Sequence, residues 1–121
     1  MKRFALLLLL AFALTAPVQA QKIRPSHQWT ADNTILAVTS TLGLVLDWGQ
    51  TLNVRREINP ILGPHPSRGA INRYFLTCVV ANVGLGMLLP NPYRTVLFVG
   101  VTAVETFTVS RNVSLGVRLR F

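Results

Sequence analysis

The sequence has few acidic residues and few charged residues of any kind. Its 121 residues include four Asp and Glu against 12 Lys and Arg, and charged residues make up 13% of the chain. Soluble domains carry roughly 25% charged residues. Because half of the residues are hydrophobic, a chain this short has too little polar surface to cover a water-exposed exterior. The composition therefore predicts one membrane-embedded domain.

Cysteine is scarce as well. Cys78 is the single cysteine and lies in an apolar run, which excludes an intramolecular disulfide and a metal site built from several cysteines. The sequence also lacks a Gly-rich phosphate loop, a nucleophile elbow and a paired-histidine zinc helix. These absences argue against an enzyme and against a bound cofactor, and they leave metal binding undecided.

The formal net charge of +8 does not indicate a nucleic-acid-binding protein. The sequence contains no nucleic-acid-binding motif, and its basic residues do not form one patch. They fall at the ends of apolar segments, where membrane proteins keep them. The expected partners are the lipid bilayer and protein partners or further copies of the chain, and not nucleic acid.

The N-terminus has the pattern of a secretory signal peptide. Lys2 and Arg3 precede an apolar run over residues 4–14, and small residues around Ala20 form a cleavage site. We expect residues 1–20 to be removed and residues 21–121 to form the membrane domain. An uncleaved anchor, which would add a fourth span, is the alternative, but the run is shorter than the roughly 20 residues that a span needs.

Three further segments are apolar enough to predict transmembrane helices. They cover residues 34–54, 70–89 and 95–109, and the last reaches bilayer thickness only with its flanks. The predicted fold is an all-α membrane protein, with a three-helix transmembrane bundle after the signal peptide, a Pro-rich loop and a short C-terminal tail. Asp32 or Asn33 is expected to cap the first helix.

The tail over residues 112–121 alternates strictly between apolar and polar residues, which is typical of a strand. An outer-membrane barrel is therefore an alternative fold. It is disfavoured because a barrel needs at least about eight strands of about ten residues, and the middle of the chain contains unbroken apolar runs instead.

The distribution of basic residues predicts the orientation in the bacterial inner membrane. A signal peptide places the N-terminal arm in the periplasm, and three spans then place the C-terminus in the cytoplasm. Most basic residues fall on the cytoplasmic side, as the positive-inside rule requires. The inside residues are Lys2, Arg3, Arg55, Arg56, Arg68, Arg73, Arg111, Arg118 and Arg120, and the outside residues are Lys22, Arg24 and Arg94.

A group of polar residues lies within the predicted spans and is the candidate site. Ionisable groups inside a span cost about 2.5–3.5 kcal/mol, so they usually face a partner, water or a ligand. A structural interpretation pairs Asp47 with Arg73, and Glu105 with Arg55 or Arg111. The alternative is an ion, metal or small-ligand site to which Glu57 and His65 contribute. The predicted cluster consists of Asp47, Gln50, Thr51, Asn82 and Glu105.

A second motif occupies the loop between the first two spans and consists of Glu57, Asn59, Pro60, Gly63 and His65. Asn59 before Pro60 is typical of a turn. Gly63 is expected to supply a positive φ angle. His65 lies between two prolines, and a histidine in a surface loop needs no ligand.

These motifs resemble a group of short uncharacterised integral membrane proteins encoded in phage and bacterial genomes. The resemblance covers roughly residues 46–121 and lies in three stretches of the sequence. They are Asp47-Trp48-x-Gln50-Thr51, then Glu57-x-Asn59-Pro60-Ile61-Leu62-Gly63-x-His65-Pro66 with Asn72-x-Tyr74-Phe75, and finally Glu105 with Arg111-Asn112-x-x-Leu115-Gly116-Val117-x-Leu119-x-Phe121. The resemblance implies a three-helix membrane protein and supplies no activity.

The sequence thus favours a structural, accessory or interaction protein of the envelope or of phage-related processes. One alternative is a membrane protein with an intramembrane acidic site for an ion, a metal or a small ligand. Another is a small pore-forming, holin-like protein in which Gly84 and Gly86 line helix contacts.

Overall fold

Three helices and no strand make up the part of the chain that the computed structural model describes, residues 26–54 and 57–121. The helices are α1 (Ala31–Thr51), α2 (Arg68–Leu88) and α3 (Tyr93–Ser114). At about 1.5 Å of rise per residue, each is roughly as long as the hydrocarbon core of a bilayer is thick, about 30 Å. The predicted signal peptide, Lys22, Arg24, Arg55 and Arg56 lie outside the described residues.

Reciprocal capping explains where α1 begins, which is three residues before the predicted start. Thr30 is the N-cap, and its side chain accepts a hydrogen bond from the backbone N–H of Asn33 at 3.3 Å. The Asn33 side chain in turn accepts one from the backbone N–H of Thr30 at 3.2 Å. Asn33 therefore supports the cap from the third helical position, and the prediction that Asp32 or Asn33 is itself the cap was wrong.

The third helix is longer than predicted, and the predicted C-terminal strand does not form. Residues 112–114 belong to α3, and Gly116 then turns the chain with a φ of 74°. The residues after this turn have no regular secondary structure and no strand partner in the described part of the chain. Alternating apolar and polar residues are typical of a strand, but a strand forms only where an adjacent strand offers backbone hydrogen bonds. The barrel alternative is excluded for the described residues, because they are helical.

The C-terminal tail instead covers the end of α1. The backbone N–H of Arg120 donates to the carbonyl of Gly49 at 3.3 Å, and Asn53 Nδ2 donates to the carbonyl of Arg120 at 3.2 Å. Leu119 and Phe121 lie so close to Gly49 that a Cβ there would come within 2.6 and 2.7 Å of them. Glycine at this position therefore makes room for the tail.

The first helix contacts both of the others, and α2 and α3 contact each other least. Between α1 and α2, the indole of Trp48 stacks on the ring of Phe75 at a centroid distance of 6.2 Å. Its Nε1–H donates to Asn72 Oδ1 at 2.9 Å. Between α2 and α3, Phe98 lies over Gly86, where a Cβ would approach the ring to 2.7 Å at Cε1.

The interior of the bundle is more polar than its exterior. Among the described residues, eight polar or charged side chains are buried, against four apolar ones: Leu44, Ile71, Phe75 and Phe98. Large apolar side chains cover the outside of all three helices. By length and composition α2 and α3 can cross a membrane, whereas α1 is not apolar enough on average to meet the same criterion.

Candidate functional site

Polar side chains of α1 and α3 meet at the end of the bundle where both helices finish. Asn112 on α3 connects two residues of α1: its Nδ2 donates to Asp47 Oδ1 at 3.3 Å and to Gln50 Oε1 at 3.1 Å. Thr51 also donates to Asp47 Oδ1, at 3.4 Å. Gln50 Nε2 donates to the carbonyl of Val109 at 3.4 Å. Four of the predicted cluster residues, Asp47, Gln50, Thr51 and Glu105, are thus brought together.

The carboxyl groups of Asp47 and Glu105 form a pair within this cluster. They lie close together, because Glu105 packs against Gly43, which precedes Asp47 on α1 by one helical turn. Glu57 also acts on Asp47, and within the described residues neither carboxyl forms an ion pair with Arg73 or Arg111. The predicted ion pair with Arg55 lies outside the described residues. Two ionised carboxyls at close range repel each other, so this arrangement favours a proton shared between them or a bound cation.

Two buried side-chain oxygen atoms have no hydrogen-bond partner in the described part of the chain: Glu105 Oε2, which belongs to the pair, and Asn82 Oδ1. A buried acceptor left unpaired costs roughly 1–3 kcal/mol. The backbone of α1 comes very close to Glu105, because a Cβ at Gly43 would lie 2.7 Å from Glu105 Cβ. The carboxyl is therefore held against α1 with one oxygen free.

The fifth predicted residue, Asn82 on α2, lies apart from the pair. Its Nδ2 donates to Ser40 Oγ at 2.9 Å and to Thr41 Oγ1 at 3.3 Å. Ser40 precedes Asp47 by seven residues, which is two helical turns, so both lie on the same face of α1. Asn33, another seven residues earlier, is also buried. The first helix thus carries a polar stripe that faces its neighbours. Asn82 of α2 contacts the middle of this stripe.

The sequence analysis missed the role of Arg94, which it treated as a charge on the outer side. The side chain is 1% exposed. Its Nε donates to the carbonyl of Gly86 at 2.6 Å, and its Nη1 donates to the carbonyl of Gln28 and to Asn33 Oδ1, both at 3.1 Å. The guanidinium also lies 4.7 Å above the ring of Trp29. Arg94, in the first turn of α3, therefore connects the N-terminal arm, the first turn of α1 and the last turn of α2.

Asn112 was missed as well, although a signal existed for it. Asn112 falls seven residues after Glu105 in the sequence, so both share one face of a continuous helix. The predicted third span ended at residue 109, and that boundary placed Asn112 in the tail. The helix continues to Ser114, which brings Asn112 onto the face of Glu105.

The loop motif forms its own local structure and does not join the carboxyl pair. Glu57 Oε1 accepts hydrogen bonds from the backbone N–H groups of Ile58 and Asn59, both at 2.8 Å. Asn59 Oδ1 accepts from the N–H of Ile61 at 2.9 Å, which confirms the predicted turn. Gly63 has a φ of 78°, as predicted.

His65 and Pro60 are exposed at the surface of this loop. Within residues 26–54 and 57–121, no group of three or more His, Cys, Asp and Glu side chains is arranged to hold a metal ion. The expected participation of His65 and Glu57 in a metal site therefore has no structural basis there.

The atoms that the carboxyl pair and the neighbouring amides offer to a ligand are oxygens. Carboxylate and amide oxygens suit a proton or a hard cation, and not a soft metal ion. No family model, curated protein sequence or solved structure matches the chain.

Proposed function

We propose that the chain is a small integral protein of the bacterial inner membrane with a structural or interaction role in the envelope or in phage-related processes. The observation that carries this proposal is the distribution of side chains: apolar groups cover the outside, and hydrogen-bonded polar groups fill the inside. In lipid, polar groups must be satisfied within the protein, whereas apolar groups can face outward at no cost.

The first helix belongs to the bundle as a third span, despite its lower mean hydropathy. Its polar residues Ser40, Gln50 and Thr51 are all buried, at 4% exposure or less. After the first turn its outward positions are apolar except for Thr39, with Ile35 at 63% and Leu42 at 57% exposure. An average over the helix mixes these two faces, but lipid would contact only the apolar one.

The proposed orientation places the N-terminal arm in the periplasm and the C-terminus in the cytoplasm. The loop before α2, the end of α3 and the tail lie at one end of the bundle, together with Arg68, Arg73 and Arg111. At the other end, Arg94 is buried and bonded. Among the described residues, the exposed arginines are therefore concentrated at one end, which the positive-inside rule assigns to the cytoplasm.

The buried hydrogen bonds would hold the three helices in one arrangement, and the exposed apolar faces would contact lipid, a protein partner or another copy. The proposed role is structural and not catalytic. Within this single chain Gly86 packs on Phe98 and Gly84 meets nothing within 4 Å. A pore therefore has no specific support.

Membrane extraction tests the proposal. The full chain, expressed in bacteria, should stay in the membrane pellet after alkaline carbonate and dissolve in detergent with a helical far-UV circular dichroism spectrum. Recovery in the carbonate supernatant would contradict membrane integration.

A matched pair of variants extends this test to α1. Leu42→Lys places a charge on the outward face, where lipid makes it cost about 2.5–3.5 kcal/mol, so the amount of inserted protein should fall. Ser110→Lys, at an exposed position beside Arg111 near the end of α3, should insert normally. Equal insertion of both variants would show that the outward face of α1 contacts water.

A cation site is the second candidate function, and the unpaired Glu105 Oε2 beside Asp47 favours it. A cation that binds only the folded chain raises its stability by roughly 2.7 kcal/mol at a hundred times the dissociation constant. In detergent, Na⁺ or Ca²⁺ should therefore raise the Tm relative to choline, and Asp47→Asn should abolish the rise.

The control is Asp32→Asn, which removes an exposed acid at the other end of α1. Its Tm should respond to the cation as that of the unsubstituted chain does. If no cation changes the Tm, or if both variants lose the response, the pair holds only a proton or is purely structural.

A further inference from the structure

A half-open cavity of about 620 Å³ lies between the chain that follows α1 and the C-terminal tail. Three arginines line it: Arg111 from the last turn of α3, and Arg118 and Arg120 from the tail. The remaining lining includes Asn53, Glu57 and Ile58. Ligand pockets in proteins are typically about 300–1,000 Å³, so the cavity has the size of a binding site.

The guanidinium groups in this cavity are free to bind a ligand. In the described residues, every hydrogen bond donated by an arginine side chain comes from Arg94 at the opposite end of the bundle. The acid in the lining is Glu57, and its Oε1 already accepts two backbone hydrogen bonds. Because three arginines and one acid line the cavity, its net charge is positive, and the planar donors of arginine suit the oxygens of a phosphate group.

Apolar side chains beside the arginines indicate which phosphate compound fits. Ile58 and Leu115 line the same cavity, and they are 60% and 63% exposed. A free phosphate ion would gain nothing from these groups, whereas a phospholipid would place its headgroup on the arginines and its acyl chains against the apolar rim. In the proposed orientation this end of the bundle also lies at the cytoplasmic leaflet, which carries anionic lipids.

We propose that this cavity, defined by Arg111, Arg118 and Arg120, binds the headgroup of an anionic phospholipid. The proposal rests on the proposed membrane function, since it needs this end of the bundle to lie at the lipid surface. It makes the tail, which the sequence presents as an appendage, part of a lipid-binding site.

The test measures binding of phosphatidylglycerol to the full chain in detergent, with phosphatidylcholine and glycerol phosphate as comparison ligands. Native mass spectrometry counts the bound lipids, and titration gives the affinity. We expect one saturable phosphatidylglycerol per chain and at least tenfold weaker binding of the other two. Arg118→Gln/Arg120→Gln should weaken the binding about thirtyfold, as expected for the loss of two arginines near a lipid surface.

A matched double variant separates a site from a diffuse attraction. Arg68→Gln/Arg73→Gln removes two exposed charges from the same end of the bundle that do not line the cavity, and it should weaken binding less than about threefold at physiological salt. Arg118→Lys/Arg120→Lys keeps the charge but loses the planar donors, so it should fall between the two.

Three outcomes would overturn the proposal: equal losses in both double glutamine variants, equal affinity for glycerol phosphate and phosphatidylglycerol, or no saturation. Each Gln variant should retain the far-UV spectrum and Tm of the unsubstituted chain, because the replaced side chains make no hydrogen bond in the described structure. A chain that resists carbonate extraction but binds lipid without saturation would contradict the lipid site alone. A carbonate-soluble chain would contradict the membrane function first.

Discussion

A buried arginine shows most clearly how single residues hold this bundle together. Arg94 is surrounded by carbonyl oxygens and an asparagine, with no carboxylate among its hydrogen-bond partners. Buried charges are tolerated only where hydrogen bonds replace the lost water. Arginine suits this position because its five donors are arranged in a rigid plane and can reach several acceptors at once, which a lysine cannot do.

Replacing Arg94 should therefore destabilise the fold strongly. In Arg94→Gln the buried carbonyl of Gly86 and the buried Asn33 Oδ1 each lose a donor, and the contact with the ring of Trp29 is lost as well. An unpaired buried acceptor costs roughly 1–3 kcal/mol. We expect a loss of about 3 kcal/mol or more and a Tm lower by roughly 10 °C or more, measured by circular dichroism in detergent.

The control for this prediction is Arg73→Gln, which removes an exposed arginine of α2. Its Tm should change little, since exposed charges contribute about 1 kcal/mol or less. Arg94→Lys should resemble Arg94→Gln more than the unsubstituted chain. If Arg94→Gln and Arg73→Gln have the same Tm, the buried arginine does not stabilise the bundle.

At the scale of helices, glycines allow the close contacts, and their surroundings decide how strictly glycine is required. A Cβ at Gly43 would meet Glu105 Cβ, next to the backbone of α3, at 2.7 Å. A Cβ at Gly86 would meet the ring of Phe98, which is fully buried and cannot move aside. At Gly49 the neighbours are exposed tail residues, which can shift.

Alanine substitutions should follow this order. Gly43→Ala and Gly86→Ala should each cost about 1–3 kcal/mol, the usual cost of an overpacked interior. Gly49→Ala should cost less. The measurement is the Tm of each variant in detergent, reported relative to the unsubstituted chain.

The matched control is Gly100→Ala in α3, where a Cβ would meet nothing within 4 Å. It should be neutral or stabilising by up to about 1 kcal/mol, because alanine favours a helix. A Tm for Gly43→Ala equal to that of Gly100→Ala would show that α1 and α3 are not in close contact.

At the scale of the whole molecule, the described bundle has a polar interior and an apolar exterior. A soluble three-helix protein buries its apolar residues, whereas here Val104 and Phe107 are 62% and 68% exposed while Glu105 between them is buried. Within one turn of α3, the Glu105 carboxyl thus points into the bundle, and the side chains of Val104 and Phe107 point outward. This arrangement is stable if the surroundings are lipid.

The proposed orientation predicts which end of the bundle is accessible from outside a cell. In a Cys78→Ala background, Gln28→Cys should react with a membrane-impermeant maleimide added to intact spheroplasts. His65→Cys should react only after lysis. Both positions are exposed, at opposite ends of the bundle, so each serves as a control for the accessibility of the other. The reverse pattern would contradict the orientation, and labelling of both in intact spheroplasts would contradict a membrane crossing between them.

The sequence by itself determined the local features. The apolar runs located all three helices, the prolines placed the loop, and Gly63 and Asn59 adopt the predicted turn. The sequence also predicted a polar cluster, and four of its five members, Asp47, Gln50, Thr51 and Glu105, do lie together. These features depend on neighbours within a few residues, because capping, turn geometry and helical periodicity are local interactions.

Only the tertiary structure decided which polar groups are paired. Asn112 reaches Asp47 across 65 positions of sequence, and Arg94 reaches Gln28 across 66. The tail alternates as a strand does, yet it lies over Gly49 because no strand is beside it. The physical reason is that the free energy of burying a polar side chain depends on the partner it finds, and that partner comes from a distant part of the chain.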